Sequence, residues 1–403
     1  MSSSADQRRR KANCALLIVS TAVLLASSTW FSGTAATPDL VHSWGLTAAE
    51  GAWVTISVQL GFIAGTLFYA LFNLADVFNA RWVFFVSALL GSVFNAAFAF
   101  LSEGLVAALA FRALTGFTLA GIYPVGMKLV ASWFRSGLGW RLGVMVGALT
   151  MGTAFPYLIQ TVGSEFEWRF LAGIASTLAM GGGLLVLMTL SDGPFLQVRA
   201  PFNARMLWAV FGHRPFRSTA LAYFGHMWEL YAFWSMVVFY LGARFQSQEP
   251  SNIPWLSLLA FLTIGAGSLG CILGGWASRR MGQKKVARFS LLMSGILCFT
   301  SGLIYELNAG LMVTLVIIWG FFVVSDSPQF SALAARYCPP EYTGTALTVQ
   351  NGVGFAITVF SIQLTPWMAE LVGWQWALTF LGLGPLVGLY FVQQLPEDTA
   401  GWE

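Results

Sequence analysis

The sequence predicts an all-α integral membrane fold: twelve transmembrane helices in two parallel repeats of six. Three observations carry that expectation. Hydrophobic residues make up 57% of the 403 and charged residues only 9%, where a soluble domain carries about 25% charged residues. The apolar residues fall in long unbroken runs, and the cations sort to alternate breaks between those runs. Such a composition excludes a soluble enzyme, a nucleic-acid binder, a secreted module and a disordered scaffold.

A bilayer core of about 30 Å takes about 20 apolar residues per helix. Apolar runs between polar breaks place spans 1 to 12 at 13–36, 48–72, 81–101, 105–133, 139–161, 168–190, 216–241, 254–277, 286–307, 309–333, 342–367 and 373–395. Residues 1–12 read as a basic tail, 13–190 as a first bundle, 191–215 as a polar linker, 216–395 as a second bundle and 396–403 as a second tail. The first run is too long for a cleaved signal. Membrane strands would alternate over segments of about ten residues, which these runs do not.

Orientation follows from the cations. Seventeen of the 21 Lys and Arg fall on one side under alternating topology, including Arg8, Arg9, Arg10, Lys11, Arg81, Arg279, Arg280, Lys284 and Lys285. The opposite loops hold Asp39, Glu50, Glu103, Glu306 and Glu370. The positive-inside rule therefore puts both termini in the cytoplasm, with a bacterial-type inner membrane as the expected location.

The chain also matches itself. Gly116-Phe117 and Pro124 in span 4 recur as Gly320-Phe321 and Pro328 in span 10, and Trp30 recurs as Trp234, all at an offset of 204. Trp168 and Trp374, each opening the last span of its half, differ by 206. Paired six-helix repeats are a transporter architecture, and paired helix breaks point to its moving or binding region. Pro124 and Pro328 are such breaks, because each removes an N–H and frees a carbonyl.

These segments resemble the major facilitator superfamily. The loop after span 2 reads Leu74-Ala75-Asp76 and then Arg81, similar to the family's G-x-L-A-D-R-x-G-R-K loop, with Phe72 and Asn79 in place of its glycines. The loop after span 8 runs from Gly275 through Arg280 to Lys284, with Arg279 in place of the acid. Arg112 with Gly116 resembles the family's span 4 arginine motif, and Gly147, Gly152 and Pro156 a loose glycine-proline motif. Spans 4 and 7 look like bacterial members near the cyanate and nitrate permease groups, without the nitrate group's glycine-rich signature helices. The resemblance implies a cavity between spans 1, 4, 7 and 10, and gating or hinge roles for Asp76, Arg81, Pro124, Pro328, Gly275 and Arg280.

Five ionisable residues sit inside spans: Arg112, Lys128, His226, Glu229 and Asp326. A charge at mid-bilayer costs about 2.5–3.5 kcal/mol on the mildest scale, so such groups face a cavity or a partner. His226 and Glu229 are spaced i, i+3 and share a helix face. An imidazole beside a carboxylate can pass a proton near neutral pH, so both, with Asp326, are expected to couple protons. A polar pair that only fixes span 7 is the alternative. Arg112 reads either as an anion contact or as a buried cation bonding carbonyls of span 1. Lys128 either snorkels, binds substrate, or meets Asp326 as an inner gate.

Tyr123, Trp30, Trp228, Tyr231 and Trp234 are deep enough to stack on a planar or cationic substrate, with Gln350 and Asn351 as hydrogen-bond partners. No P-loop, metal-ligand spacing or nucleophile–base pattern is present. The expectation is therefore a monomeric secondary transporter, not an enzyme. It would need no cofactor, bind no nucleic acid, and import a small polar anion or zwitterion with protons. A proton/drug antiporter and an uncoupled facilitator are the alternatives.

Overall fold

The structure, a computed structural model, describes residues 2–134, 138–163, 167–195, 210–245, 254–338 and 343–397. Linker residues 196–209 and tail residues 398–403 lie outside the described residues, as does the side chain of Asp76. Every regular element among the described residues is helical.

Span 1 runs Ser2–Trp44, so the tail expected at 1–12 continues the first helix. Gln7, Arg8, Arg9, Arg10 and Lys11 are good helix formers with no breaker between them. Spans 2 and 3 are Ala48–Leu71 and Ala80–Leu101, separated by a short helix at Leu74–Val77. Thr47 and Glu50 form a reciprocal capping box at the start of span 2. Span 4 is two helices, Leu105–Leu119 and Tyr123–Ala131, and spans 5 and 6 are Leu138–Val162 and Trp168–Thr189.

Span 7 is Arg214–Arg244 and span 8 Pro254–Met281. Span 9 is Gln283–Phe299 continued by Ser301–Tyr305. Span 10 is again two helices, Ala309–Ser325 and Ser327–Arg336. Span 11 lies within Thr343–Ala377, which turns at Gly373 (φ 75°), a left-handed backbone that glycine adopts without strain. A 3-10 turn at Thr379–Gly382 then leads into Leu383–Gln393 to complete span 12.

Among the described residues nine helices are long and apolar enough to cross a membrane. Span 7 is not among them, and its packing supplies the reason. Spans 8, 10, 11 and 12 surround it, and nearly all its residues from Phe216 to Gly242 are buried. A helix screened from lipid has no need of lipophilic side chains, so it can carry His226, Glu229 and several Trp and Tyr residues.

The repeat is visible in the packing. In the first half span 1 packs on 5 and 6, span 3 on 6, and span 2 on 4. In the second half span 7 packs on 11 and 12, span 9 on 12, and span 8 on 10. Each contact reappears six spans later. The recurring glycines have a physical cause in these crossings: Gly116 lies against the carbonyl of Val58 in span 2, and Gly320 against that of Thr263 in span 8. A Cβ at either would overlap the backbone.

The halves meet through spans 5 and 8 and through spans 2 and 11. On the side of the basic loops, Gly143 and Gly275 bring spans 5 and 8 together backbone to backbone. On the side of the acidic loops, the Gln160 carbonyl accepts from Ser257 Oγ at 2.9 Å, and its amide donates to the Ala35 carbonyl at 3.3 Å. The halves therefore touch both above and below the centre.

Candidate functional site

Between these two contacts lies a cavity of about 40 Å³, room for a few waters only. Trp30 of span 1, Tyr123 of span 4, Tyr223, Met227, Tyr231 and Trp234 of span 7, Ser327 and Ser331 of span 10, and Asn351 and Phe355 of span 11 line it. Of the residues expected to bind substrate, the structure thus gathers Trp30, Tyr123, Tyr231, Trp234 and Asn351.

The aromatic rings span the two halves. Trp30 lies 5.8 Å from Tyr231 and 5.6 Å from Phe355, both at interplanar angles of 27°. Tyr231 contacts Trp234 at 5.5 Å and Phe355 at 5.1 Å. Phe62 of span 2 closes the cluster, 4.8 Å from Trp30. The indole nitrogens of Trp30 and Trp234 are buried and have no hydrogen-bond partner among the described residues. Buried donors are ordinarily satisfied, so two orphans among the residues lining one cavity are a feature to explain.

His226 and Asp326 form the buried ionisable pair. Nδ1 of His226 lies 2.9 Å from Oδ1 of Asp326, both side chains being almost fully enclosed. Asp326 occupies the break in span 10: it caps both Ala309–Ser325 and Ser327–Arg336, with Pro328 in the first turn of the latter. The break arises because Pro328 has no N–H for the ladder. The Tyr223 and Phe330 rings flank the imidazole at 5.9 and 5.8 Å, and its Nε2 has no partner among the described residues. The chain neighbours Met227 and Ser327 line the cavity, placing the pair beside its wall.

Glu229 does not join that pair. Its carboxylate accepts from Trp319 Nε1 at 2.7 Å, Ser294 Oγ at 3.0 Å and Cys298 Sγ at 3.1 Å. The i, i+3 spacing does turn both residues toward span 10, but the antiparallel neighbour offers each a different partner, Asp326 to His226 and Trp319 to Glu229. The hydrogen bonds of Glu229 place its carboxylate in the packing between spans 7, 9 and 10, and it is not among the residues that line the cavity.

The two cations of span 4 also lie off the cavity. Arg112 is fully buried and donates from Nη1 to the Thr29 carbonyl and Asn95 Oδ1, each at 2.8 Å, and to Ser32 Oγ at 3.2 Å. Its Nη2 donates to the Trp30 carbonyl, and the Phe98 ring lies 5.3 Å below the guanidinium. These bonds to span 1 carbonyls are those of the buried-cation reading, while Nε has no partner among the described residues. Lys128 donates to the Ala75 carbonyl in the loop after span 2, whereas Asp326 has the His226 imidazole at ion-pair distance, without an aligned hydrogen bond. Trp228 faces span 12, its N–H 3.5 Å from the Phe380 carbonyl. Gln350 is buried with Oε1 unpartnered among the described residues, but it is Asn351 that reaches the cavity.

The loops expected to gate the protein tie each half to itself. Arg81, opening span 3, donates to the Leu190 carbonyl at 2.6 Å and to Asp192 at 3.0 Å, just past span 6. Lys284, opening span 9, donates to the Leu395 carbonyl at 2.6 Å and to Glu397 at 2.7 Å, just past span 12. The two clamps are repeats of one another: a cation at the head of the third span grips a carbonyl at the foot of the sixth, then a carboxylate two residues on. Asp192, Lys284 and Glu397 are absent from the sequence-derived site, although the near-204 offset between the members would have found them. Gly275 is a contact between halves, and Arg280 is exposed, 5.0 Å over the Trp276 ring. Pro124 and Pro328 each open the second helix of a broken span.

Comparison with known proteins bears on this arrangement. The 4-hydroxybenzoate transporter PcaK of Pseudomonas aeruginosa is 24% identical over 382 residues, covering 84% of this chain and 81% of that protein. The niacin transporter NiaP of Acinetobacter baylyi is 32% identical over 130 residues, 29% of this chain and 28% of that one. A protein named "Probable galactarate/D-glucarate transporter GudP" from Escherichia coli is 25% identical over 134 residues, 32% of this chain. The chain thus spans under a third of the length of NiaP and GudP. A crystal structure of a mutant of the nucleoside transporter NupG superposes with a TM-score of 0.70 at 14% identity, covering 95% of this chain and 99% of that one, which shows a shared fold. The Major Facilitator Superfamily model matches residues 17–361 and 219–400. The Major Facilitator Superfamily model covers most of the chain and the described helices repeat in two halves around a central cavity, so the chain belongs to the Major Facilitator Superfamily and is a multi-pass membrane protein.

Proposed function

We propose that this protein is a secondary active transporter that imports a small organic anion together with protons across a bacterial inner membrane, both termini being cytoplasmic. The substrate class is favoured by the organic acids in the names of the relatives. The observation that carries the coupling is the buried His226–Asp326 pair at 2.9 Å, set in the break of span 10 beside the cavity.

The physical basis is charge balance in a low-dielectric enclosure. One proton shared by the pair gives an imidazolium and a carboxylate, a net charge of zero. An anion entering alone would be buried without a countercharge, which is costly. A second proton, taken by Asp326, leaves the imidazolium uncompensated, and the substrate anion then neutralises it. Proton and anion therefore occlude together or not at all. With the ion pair dissolved, the tie between span 7 and the Pro328 break of span 10 is lost, which frees that break within the second half to change shape.

The test is uptake of radiolabelled 4-hydroxybenzoate, nicotinate and D-glucarate into proteoliposomes with an alkaline interior. At least one acid should accumulate, and a protonophore should abolish the accumulation. Transport indifferent to the gradient would leave an uncoupled facilitator. Export of amphipathic drugs with no uptake of any acid would make the protein an antiporter.

A further inference from the structure

The cavity carries information about which organic anion it accepts. We propose that the substrate is a planar aromatic or heteroaromatic monocarboxylate, its ring received between Trp30 and the Tyr231–Phe355 face and its carboxylate by the orphan indole N–H groups of Trp30 and Trp234. This rests on the organic-anion reading above and narrows it.

Three features point this way. The first is the absence of any Lys or Arg among the lining residues. Arg112 is committed to Thr29, Trp30, Ser32 and Asn95, and Lys128 to Ala75. A dianion would bring two charges to a wall with no fixed cation, whereas a monoanion is balanced by the one extra proton on the His226–Asp326 pair.

The second is the two buried indole donors. Both belong to lining residues about 1% exposed, and both lack a partner among the described residues. An N–H can satisfy a carboxylate oxygen without bringing charge of its own, and hydrogen bonds to ionised groups are the stronger ones.

The third is ring geometry. Trp30 lies nearly parallel to Tyr231 and Phe355 at 5.8 and 5.6 Å between centroids. A planar ring between two others needs two contact spacings, about 7 Å in all, more than the 5.8 and 5.6 Å between these centroids, so the slot must widen to admit one. Trp30 belongs to the first half, and Tyr231 and Phe355 to the second, so the rocking that opens the cavity also widens this slot. A tetrahedral carbon chain bearing hydroxyls is thicker than a planar ring.

The experiment is equilibrium binding to the purified full chain of benzoate, nicotinate, cyclohexanecarboxylate, nicotinamide and D-glucarate. Benzoate and nicotinate should bind, and the non-planar, uncharged and doubly charged analogues should bind at least about tenfold more weakly, the worth of one charged hydrogen bond. Trp30→Phe and Trp234→Phe keep a ring face and remove the N–H, and each should weaken benzoate by at least about tenfold. Their folding is checked by thermal unfolding, and the wild-type panel needs no variant. Cyclohexanecarboxylate binding as tightly as benzoate, or undiminished benzoate binding in both folded variants, would overturn the assignment. D-glucarate binding without the aromatic acids would overturn it while leaving the organic-anion reading intact. Binding of no acid in the panel would overturn that reading itself.

Discussion

Replacing Gly143 by leucine should tip the protein toward the conformation open on its basic side. A Cβ at Gly143 would lie 2.9 Å from the Cys271 carbonyl oxygen of span 8. That is about 0.5 Å inside ordinary van der Waals contact, and leucine adds three more carbons in the same gap. Overpacking of this kind costs about 1–3 kcal/mol. Here the cost falls on the state in which spans 5 and 8 touch and vanishes where they part. The open population should therefore rise about 5- to 150-fold. Cys271 is a built-in reporter, buried at that contact with its thiol 3.4 Å from the Val324 carbonyl. In a version with Cys14, Cys298 and Cys338 replaced by serine, Gly143→Leu should speed maleimide labelling of Cys271 by that factor. Gly139→Leu is the control, since nothing lies within 3.4 Å of a Cβ there. Unchanged labelling in folded Gly143→Leu protein, or equal acceleration by Gly139→Leu, would refute the reasoning.

Two further perturbations test other parts of the molecule. Trp319→Phe removes the 2.7 Å donor from Glu229 and leaves a buried carboxylate oxygen short of a partner, costing about 1–3 kcal/mol; the melting temperature should fall while gradient-driven uptake persists. The Glu397 carboxyl is held below its usual range by the hydrogen bond from Lys284 and then by that residue's charge. A depressed carboxylate stabilises the fold above its ordinary titration range, and that contribution disappears as pH falls through the depressed value. Melting curves from pH 7 down to pH 3 should therefore show an acid loss of stability that is smaller in Lys284→Met.

The spans and their doubling were legible because lipid imposes the first and close helix crossing the second. Gly116 and Gly320 recur at fixed offset since a Cβ at either would strike a carbonyl, and Pro124 and Pro328 recur since both halves break there. The aromatic cavity was half legible: Trp30, Tyr123, Tyr231, Trp234 and Asn351 line it, whereas Trp228 turns to span 12. What the chain alone could not tell is which neighbour each buried charge would choose. Spacing placed His226 and Glu229 on one face, but the register of span 10 decided that the imidazole meets Asp326 and the carboxylate meets Trp319. Long side chains were the least legible. Lys128 reaches the Ala75 carbonyl on another element, which no sequence spacing encodes, whereas the span 1 carbonyls that Arg112 meets at Thr29 and Trp30 were one of its two expected readings.

The most direct measurement of the central claim compares Asp326→Asn with the wild type in proteoliposomes. Asparagine keeps the size of the side chain and cannot take up the second proton. Uphill accumulation driven by a proton gradient should be lost, while counterflow exchange between loaded vesicles and external substrate continues. Accumulation at the wild-type level in the variant would contradict the account.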